Sequence, residues 1–142
     1  MNSLEHLRNV FVADRYATDL TGISIDKADS NGVVCSVKIT DSHRNALGAV
    51  MGGVIFTLAD LAFAVAANLD AITDSPIESP VLHWVSTSSN IHFLTAAKGE
   101  MLTASTHCIR HGNRQCLFQI EITDSLGRNV ALAITEGMKI DK

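Results

Sequence analysis

Residues 45–68 read NALGAVMGGVIFTLADLAFAVAAN, and how they are read decides the fold. The run is apolar almost all the way round a helix. Such a helix is either wrapped by its own protein or spans a membrane. Gly52 and Gly53 stand at its expected start, Pro is absent, and a single carboxylate, Asp60, interrupts it. The stretch is long enough to span, but Asp60 would then lie near mid-bilayer at a cost of about 2.5–3.5 kcal/mol. No Lys/Arg cluster flanks either end, as an oriented span would show. We therefore read the stretch as the buried central helix of a small α+β domain, with Asp60 as the residue best suited to chemistry.

Upstream, Leu4, Leu7, Val10 and Phe11 recur at helical spacing and predict a short amphipathic helix over 3–13, with Ser3 as its cap. GISIDKAD, beginning at Gly22, alternates as a strand does and ends at the turn signal Ser30-Asn31-Gly32. VVCSVKIT, beginning at Val33, completes a hairpin. Residues 41–44 are a polar loop. Downstream, LDAITDSPIESP is rich in Asp, Ser and Pro and reads as a loop. Four strand-like runs follow, near 82–94, 100–110, 114–123 and 129–139. The short Gly-bearing links between them predict antiparallel hairpins. An antiparallel sheet has one apolar face to cover, and only the central helix is apolar enough to cover it. The sheet should curl around that helix, leaving its edges and outer faces for a second copy.

The whole chain agrees. Its 142 residues suit one domain over 1–142. With 46% hydrophobic residues, 18% charged and a net charge of -4, it reads as compact and soluble, and gives no support for a nucleic-acid partner. Cys35, Cys108 and Cys116 form no close pair. They read as reduced core thiols of a cytoplasmic protein. The six histidines are too scattered to make a zinc site with them. Glu5, His6, Arg8 and Asp14 break any signal-peptide core.

The element order and the central residues resemble the hotdog fold, an antiparallel sheet wrapped around one long helix. More narrowly they resemble the PaaI-type acyl-CoA thioesterases, named for phenylacetate degradation. That family's pattern is an Asn, a Gly, then His-Gly-Gly, an apolar run and an Asp on the helix. In HRNALGAVMGGVIFTLAD (43–60), Asn45, Gly48, Gly52, Gly53 and Asp60 take those positions, and Met51 stands where the family has His. NIHFLTAAKGE (90–100) and DSLGRNVALAITEG (124–137) resemble the family's later strand-and-turn and final hairpin. The likeness spans residues 22–139. It implies an acyl-CoA thioesterase that needs neither metal nor cofactor, working as a homodimer or dimer of dimers with composite sites. Two other readings remain open at this point. Met51 keeps alive an acyl-CoA-binding hotdog protein without turnover. A hotdog hydroxyacyl dehydratase would use a His with a carboxylate, and Met51 removes the nearest candidate.

Thioester hydrolysis needs a nucleophile or base, an oxyanion donor and a grip on CoA. Asp60 supplies the first if burial raises its proton affinity. Otherwise it is a structural carboxylate that caps a loop or pairs with Arg. Gly52 supplies the second through the free N–H groups of a helix N-terminus. Alternatively Gly52 and Gly53 only permit tight helix–sheet packing, which suits Gly53 better. The resemblance gives Asn45 a hold on the substrate carbonyl or water, against a plain turn role. It gives Ser86 a hydroxyl facing the carboxylate, with Thr87 as the fallback if the register slips by one. Met51 and Gly53 border the substrate. Arg110, Arg114 and Lys98 lie near hairpin ends, where they can meet CoA phosphates. Trp84 and Phe93 are candidates for the acyl pocket. His43, His83, His92, His107 and His111 have no Ser or Cys partner and read as structural or exposed.

One distance follows from the spacing. Gly52 and Asp60 are eight residues apart, about 12 Å along a helix. A reacting carbonyl needs both within about 3 Å. One chain cannot supply both, so a site using both must pair Asp60 of one subunit with Gly52 of another.

Overall fold

Val33, Cys35 and Val37 are buried, and so are Leu102, Ala104 and Thr106, and Cys116, Phe118, Ile120 and Ile122. A period of two marks strands with one covered face. The structure is a computed structural model that describes residues 2–140. It contains α1 (Ser3–Phe11), β1 (Ile23–Asp29), β2 (Gly32–Lys38), α2 (Gly52–Thr73), β3 (Trp84–Phe93), β4 (Met101–His111), β5 (Gln115–Asp124) and β6 (Asn129–Lys139). A π-helical turn at Tyr16–Leu20, which the sequence reading did not foresee, joins α1 to β1. The six strands pair antiparallel in the order β1-β2-β4-β5-β6-β3. This is the hotdog architecture, with α2 held in the concave face.

The packing explains the sequence. Leu58, Leu61, Ala62, Phe63 and Val65 of α2 are buried. The Phe63 ring meets Phe118 of β5 edge to face, with centroids 5.7 Å apart. At Gly137 of β6 the helix side chains pack directly on the strand backbone. A Cβ there would lie 2.6 Å from Phe63 Cζ, 2.8 Å from Cys116 Sγ and 2.9 Å from the Val85 carbonyl oxygen. α2 is long and apolar enough to cross a membrane. Here ten of its residues are buried by the rest of the chain.

Four expectations are corrected. Asn2, not Ser3, caps α1, its Oδ1 accepting from the Glu5 N–H. α2 runs on to Thr73 instead of ending near Asn68. Its last turn buries Ile72 completely. Thr73 and Ser75 return their hydroxyls to the Leu69 and Ile72 carbonyls, so these polar residues extend the helix end. The 82–94 and 100–110 runs do not form a hairpin. β3 lies at the sheet edge beside β6, while β4 sits between β2 and β5. The crossover between them is clasped by the β5–β6 turn. Asp124 accepts from the Lys98 N–H at 2.9 Å, and Arg128 reaches the Ala96 carbonyl at 2.7 Å. Burial alone would raise the Asp124 carboxyl, but donors from Lys98, Arg128 and Leu126 outweigh it and hold the group down at about 2. Finally, Cys35 and Cys116 are buried but Cys108 is exposed, so the thiols are not all core; all three are free.

Candidate active site

The N-terminus of α2 is set by the loop before it. Asn45 Oδ1 accepts from the Leu47 N–H at 3.0 Å and the Ala49 N–H at 3.1 Å, closing a turn that uses Gly48 at φ +81°. That is the turn role weighed for Asn45. It also leaves the amide nitrogen as the outward, donor end of the side chain. Buried His43 anchors the loop from below: its Nδ1 accepts from the Thr40 N–H, and Nε2 donates to the Thr21 carbonyl at 2.8 Å. The Met51 N–H is taken by the His43 carbonyl at 2.8 Å. Met51 occupies the N-cap with ψ 137° and offers no side-chain cap. The first helical N–H groups, those of Gly52 and Gly53, therefore lie beyond the internal ladder at the positive end of the helix dipole.

Gly52 opens on a cleft of about 450 Å³ lined by Val50, Ile55, Phe93, Leu94, Thr95 and Ala97 among others. A Cβ on Gly52 would sit 3.2 Å from Phe93 Cζ. The tight approach expected at Gly53 is thus found at Gly52. A Cβ on Gly53 would meet nothing within 4 Å, so Gly53 has no packing role inside the chain. Phe93 borders this cleft, as an acyl-pocket residue would. Trp84 is core instead, 9% exposed and meeting the His111 ring edge to face with centroids 4.5 Å apart.

Asp60 is not sealed in the chain, contrary to expectation. α2 is apolar on every face, but the sheet covers only one. The uncovered side carries Gly53, Phe56, Thr57, Asp60 and Ala64. Asp60 enters a second cleft, about 440 Å³, with Phe56, Thr57, Leu61, Ala64, Asp14, Arg15, Tyr16 and Ala17. The cleft walls strip water from one side of its carboxylate. That desolvation, with the nearby charge of Asp14 second, pushes its proton affinity above the usual Asp value. Gly52 and Asp60 thus open on different clefts of one chain, as the 12 Å argument requires.

Neither Ser86 nor Thr87 lines the Asp60 cleft. A bulge separates them: Ser86 lies opposite Gly137, Ser88 opposite Glu136, and Thr87 is the extra residue, its hydroxyl on the Glu136 carbonyl at 3.3 Å. Both are exposed. Thr87 shares a groove of about 460 Å³ with Arg110, Gln115, Leu117 and Met138 on the outer side of the β4–β5 hairpin end. Arg114 begins that hairpin's return, its carbonyl accepting from the Lys139 N–H. Lys98 lies away from these, in the clasped crossover. Among the histidines, His111 bonds the Ala67 carbonyl at 3.1 Å and His107 lies 3.9 Å from Glu121. Asp14 and Tyr16, which line the cleft with Asp60, escaped the sequence reading. They fall in a polar connector with no periodicity, and only the cluster DRYATD hints at them.

This scaffold has known relatives. The family model described as thioesterase superfamily matches residues 47–131, which include Gly52, Gly53 and Asp60. The chain belongs to the thioesterase superfamily. Within that superfamily it is 31% identical over 112 residues to the Escherichia coli acyl-coenzyme A thioesterase PaaI, covering 78% of this chain and 73% of PaaI. The solved structure of the E. coli PaaI protein superposes with a TM-score of 0.83 at 24% identity, covering 98% of this chain and 94% of that one. A Streptococcus pneumoniae hypothetical thioesterase solved with coenzyme A gives 0.71 at 26%, covering 84% and 90%. The chain spans 56% of the length of an Archaeoglobus fulgidus protein that carries an esterase name, at 32% identity over 67% of this chain. The superfamily match agrees with the PaaI-type hotdog likeness seen in the sequence.

Proposed function

We propose that this chain is an acyl-CoA thioesterase that hydrolyses a thioester to a carboxylic acid and CoA, with Asp60 as nucleophile or general base. One observation carries the reading. A single superfamily helix offers an uncapped glycine N-terminus to one cleft and a carboxylate of raised proton affinity to another. The CoA-bound S. pneumoniae neighbour supports CoA as the leaving group. The three free thiols suit the reducing cytoplasm.

The site is composite. Asp60 of one protomer acts on a carbonyl held by the Gly52 N–H of a second. Exposed apolar side chains around the α2 N-terminus support self-association: Leu47, Met51, Phe56, Phe93 and Leu94. In the general-base route, Asp60 takes a proton from water as its oxygen bonds the thioester carbon. The Gly52 N–H stabilises the oxyanion, the C–S bond breaks, and the CoA thiolate takes up a proton. In the nucleophilic route, a carboxylate oxygen of Asp60 bonds that carbon, CoA leaves, and water then hydrolyses the mixed anhydride. The outward amide of Asn45 holds the carbonyl or water, and Arg110 and Arg114 meet CoA phosphates.

Thiol release from acyl-CoA tests the proposal. Wild-type protein is expected to turn substrate over, and Asp60→Asn to lose nearly all turnover. Undiminished turnover in the variant would overturn the assignment. Met51, in place of the family's His, favours a second reading, an acyl-CoA binder without turnover. Saturable acyl-CoA binding with no thiol release from the wild type would establish that reading instead.

A further inference from the structure

The cleft around Asp60 contains a second carboxylate. Asp14 follows α1 and lines the same cleft as Asp60. The groups facing Asp60 there are Asp14, Arg15 and Tyr16 from the connector, together with the uncharged Thr57 from its own helix. The other acid of α2, Asp70, is ten residues further on, about 15 Å away. Among the described residues Arg15 is the only cation on the cleft wall. Its guanidinium is engaged by Asp19 at 3.0 Å, four residues on and out toward solvent. The cleft therefore holds two acids with no committed counter-charge, beside the apolar Phe56, Leu61, Ala17 and Ala64. Like charges in a partly desolvated space resist joint ionisation.

We infer that Asp14 is a positioning residue that sets how strongly Asp60 holds a proton, and so the pH at which the site becomes competent. The inference rests on the reading of Asp60 as the acid–base group. Asp14 acts through Asp60 and needs no contact with the substrate. Its structural bonds are made by its backbone: its N–H donates to the Phe11 carbonyl, and its carbonyl accepts from the Thr18 N–H and hydroxyl. The side chain is free to be changed without undoing the turn.

Two readouts on the wild type, Asp14→Asn and Asp14→Glu test this. The first is the titration of the Asp60 carboxyl carbon by NMR. The second is the acid limb of kcat/KM for an acyl-CoA whose acyl group is uncharged. Asp14→Asn should move both to lower pH, Asp14→Glu should leave both near wild type, and added salt should narrow the gap between wild type and Asp14→Asn. If the Asp60 titration is the same in wild type and Asp14→Asn, the inference is overturned whatever the kinetics. If the titration moves while the kinetic limb stays fixed, the coupling stands and the catalytic reading of Asp60 falls.

Discussion

Asp60 works against the stability of the fold that carries it. Its folded-state proton affinity is raised above the usual 3.8, first by desolvation and then by Asp14. Folding therefore favours the protonated form. That contribution is complete below pH 3.8 and is lost as pH rises through the folded value, leaving the ionised carboxylate a net cost at neutrality. Asn carries no such charge. The Tm of Asp60→Asn at pH 7 should equal or exceed that of the wild type, with the gap closing as pH falls through the raised folded value toward 3.8. A variant that melts clearly lower at pH 7 would make Asp60 a structural residue. Gain of stability with loss of turnover is the mark of a site residue. Asp60 was legible in the sequence as the lone acid of an apolar run. Asp14 was not, because no periodicity links a connector to a helix far along the chain.

At the scale of elements, Asn68 joins α2 to the edge strand. It is 1% exposed. Its Oδ1 accepts from the His83 N–H at 2.8 Å and the Trp84 N–H at 2.9 Å, and its amide donates to the Ala64 and Trp84 carbonyls. Among the described residues β3 has no strand neighbour on its outer side, so this bridge fixes where it begins. Asn68→Ala strands buried backbone donors, at about 1–3 kcal/mol for each one left unpaired. The unfolding free energy from urea titration should fall by at least an amount in that range, and an unchanged value would show the bridge to be dispensable. The strands themselves were readable to within about two residues because one covered face imposes alternation. The position of β3 was not. Link length alone does not say which strand is paired, and the Asp124 clasp that routes the crossover is built from residues distant in sequence. The end of α2 was misread for a similar reason: Thr73 and Ser75 look like loop formers until their hydroxyls are seen returning to the helix.

At the scale of the molecule, the sheet encloses one side of a helix that is apolar on all sides. The other side bears Asp60, and the helix start carries Met51 at 53% and the neighbouring Leu47 at 92% exposure. The distance argument needed only the helix rise, and α2 is continuous from Gly52 through Asp60. The second copy proposed to close the site is outside anything periodicity can encode. The central claim is that one catalytic unit draws Asp60 and the Gly52 N–H from different chains. Gly52→Pro removes that N–H while suiting the first helical position, and Met51, at φ -66° and ψ 137°, already has the backbone a residue before proline adopts. Gly52→Pro and Asp60→Asn should each be inactive alone. Unfolded together and refolded as a 1:1 mixture, they should regain about a quarter of wild-type thiol release, since half of the dimers are mixed and each restores one of two sites. Mixed dimers shown by mass spectrometry to have formed, yet releasing no thiol, would contradict the account.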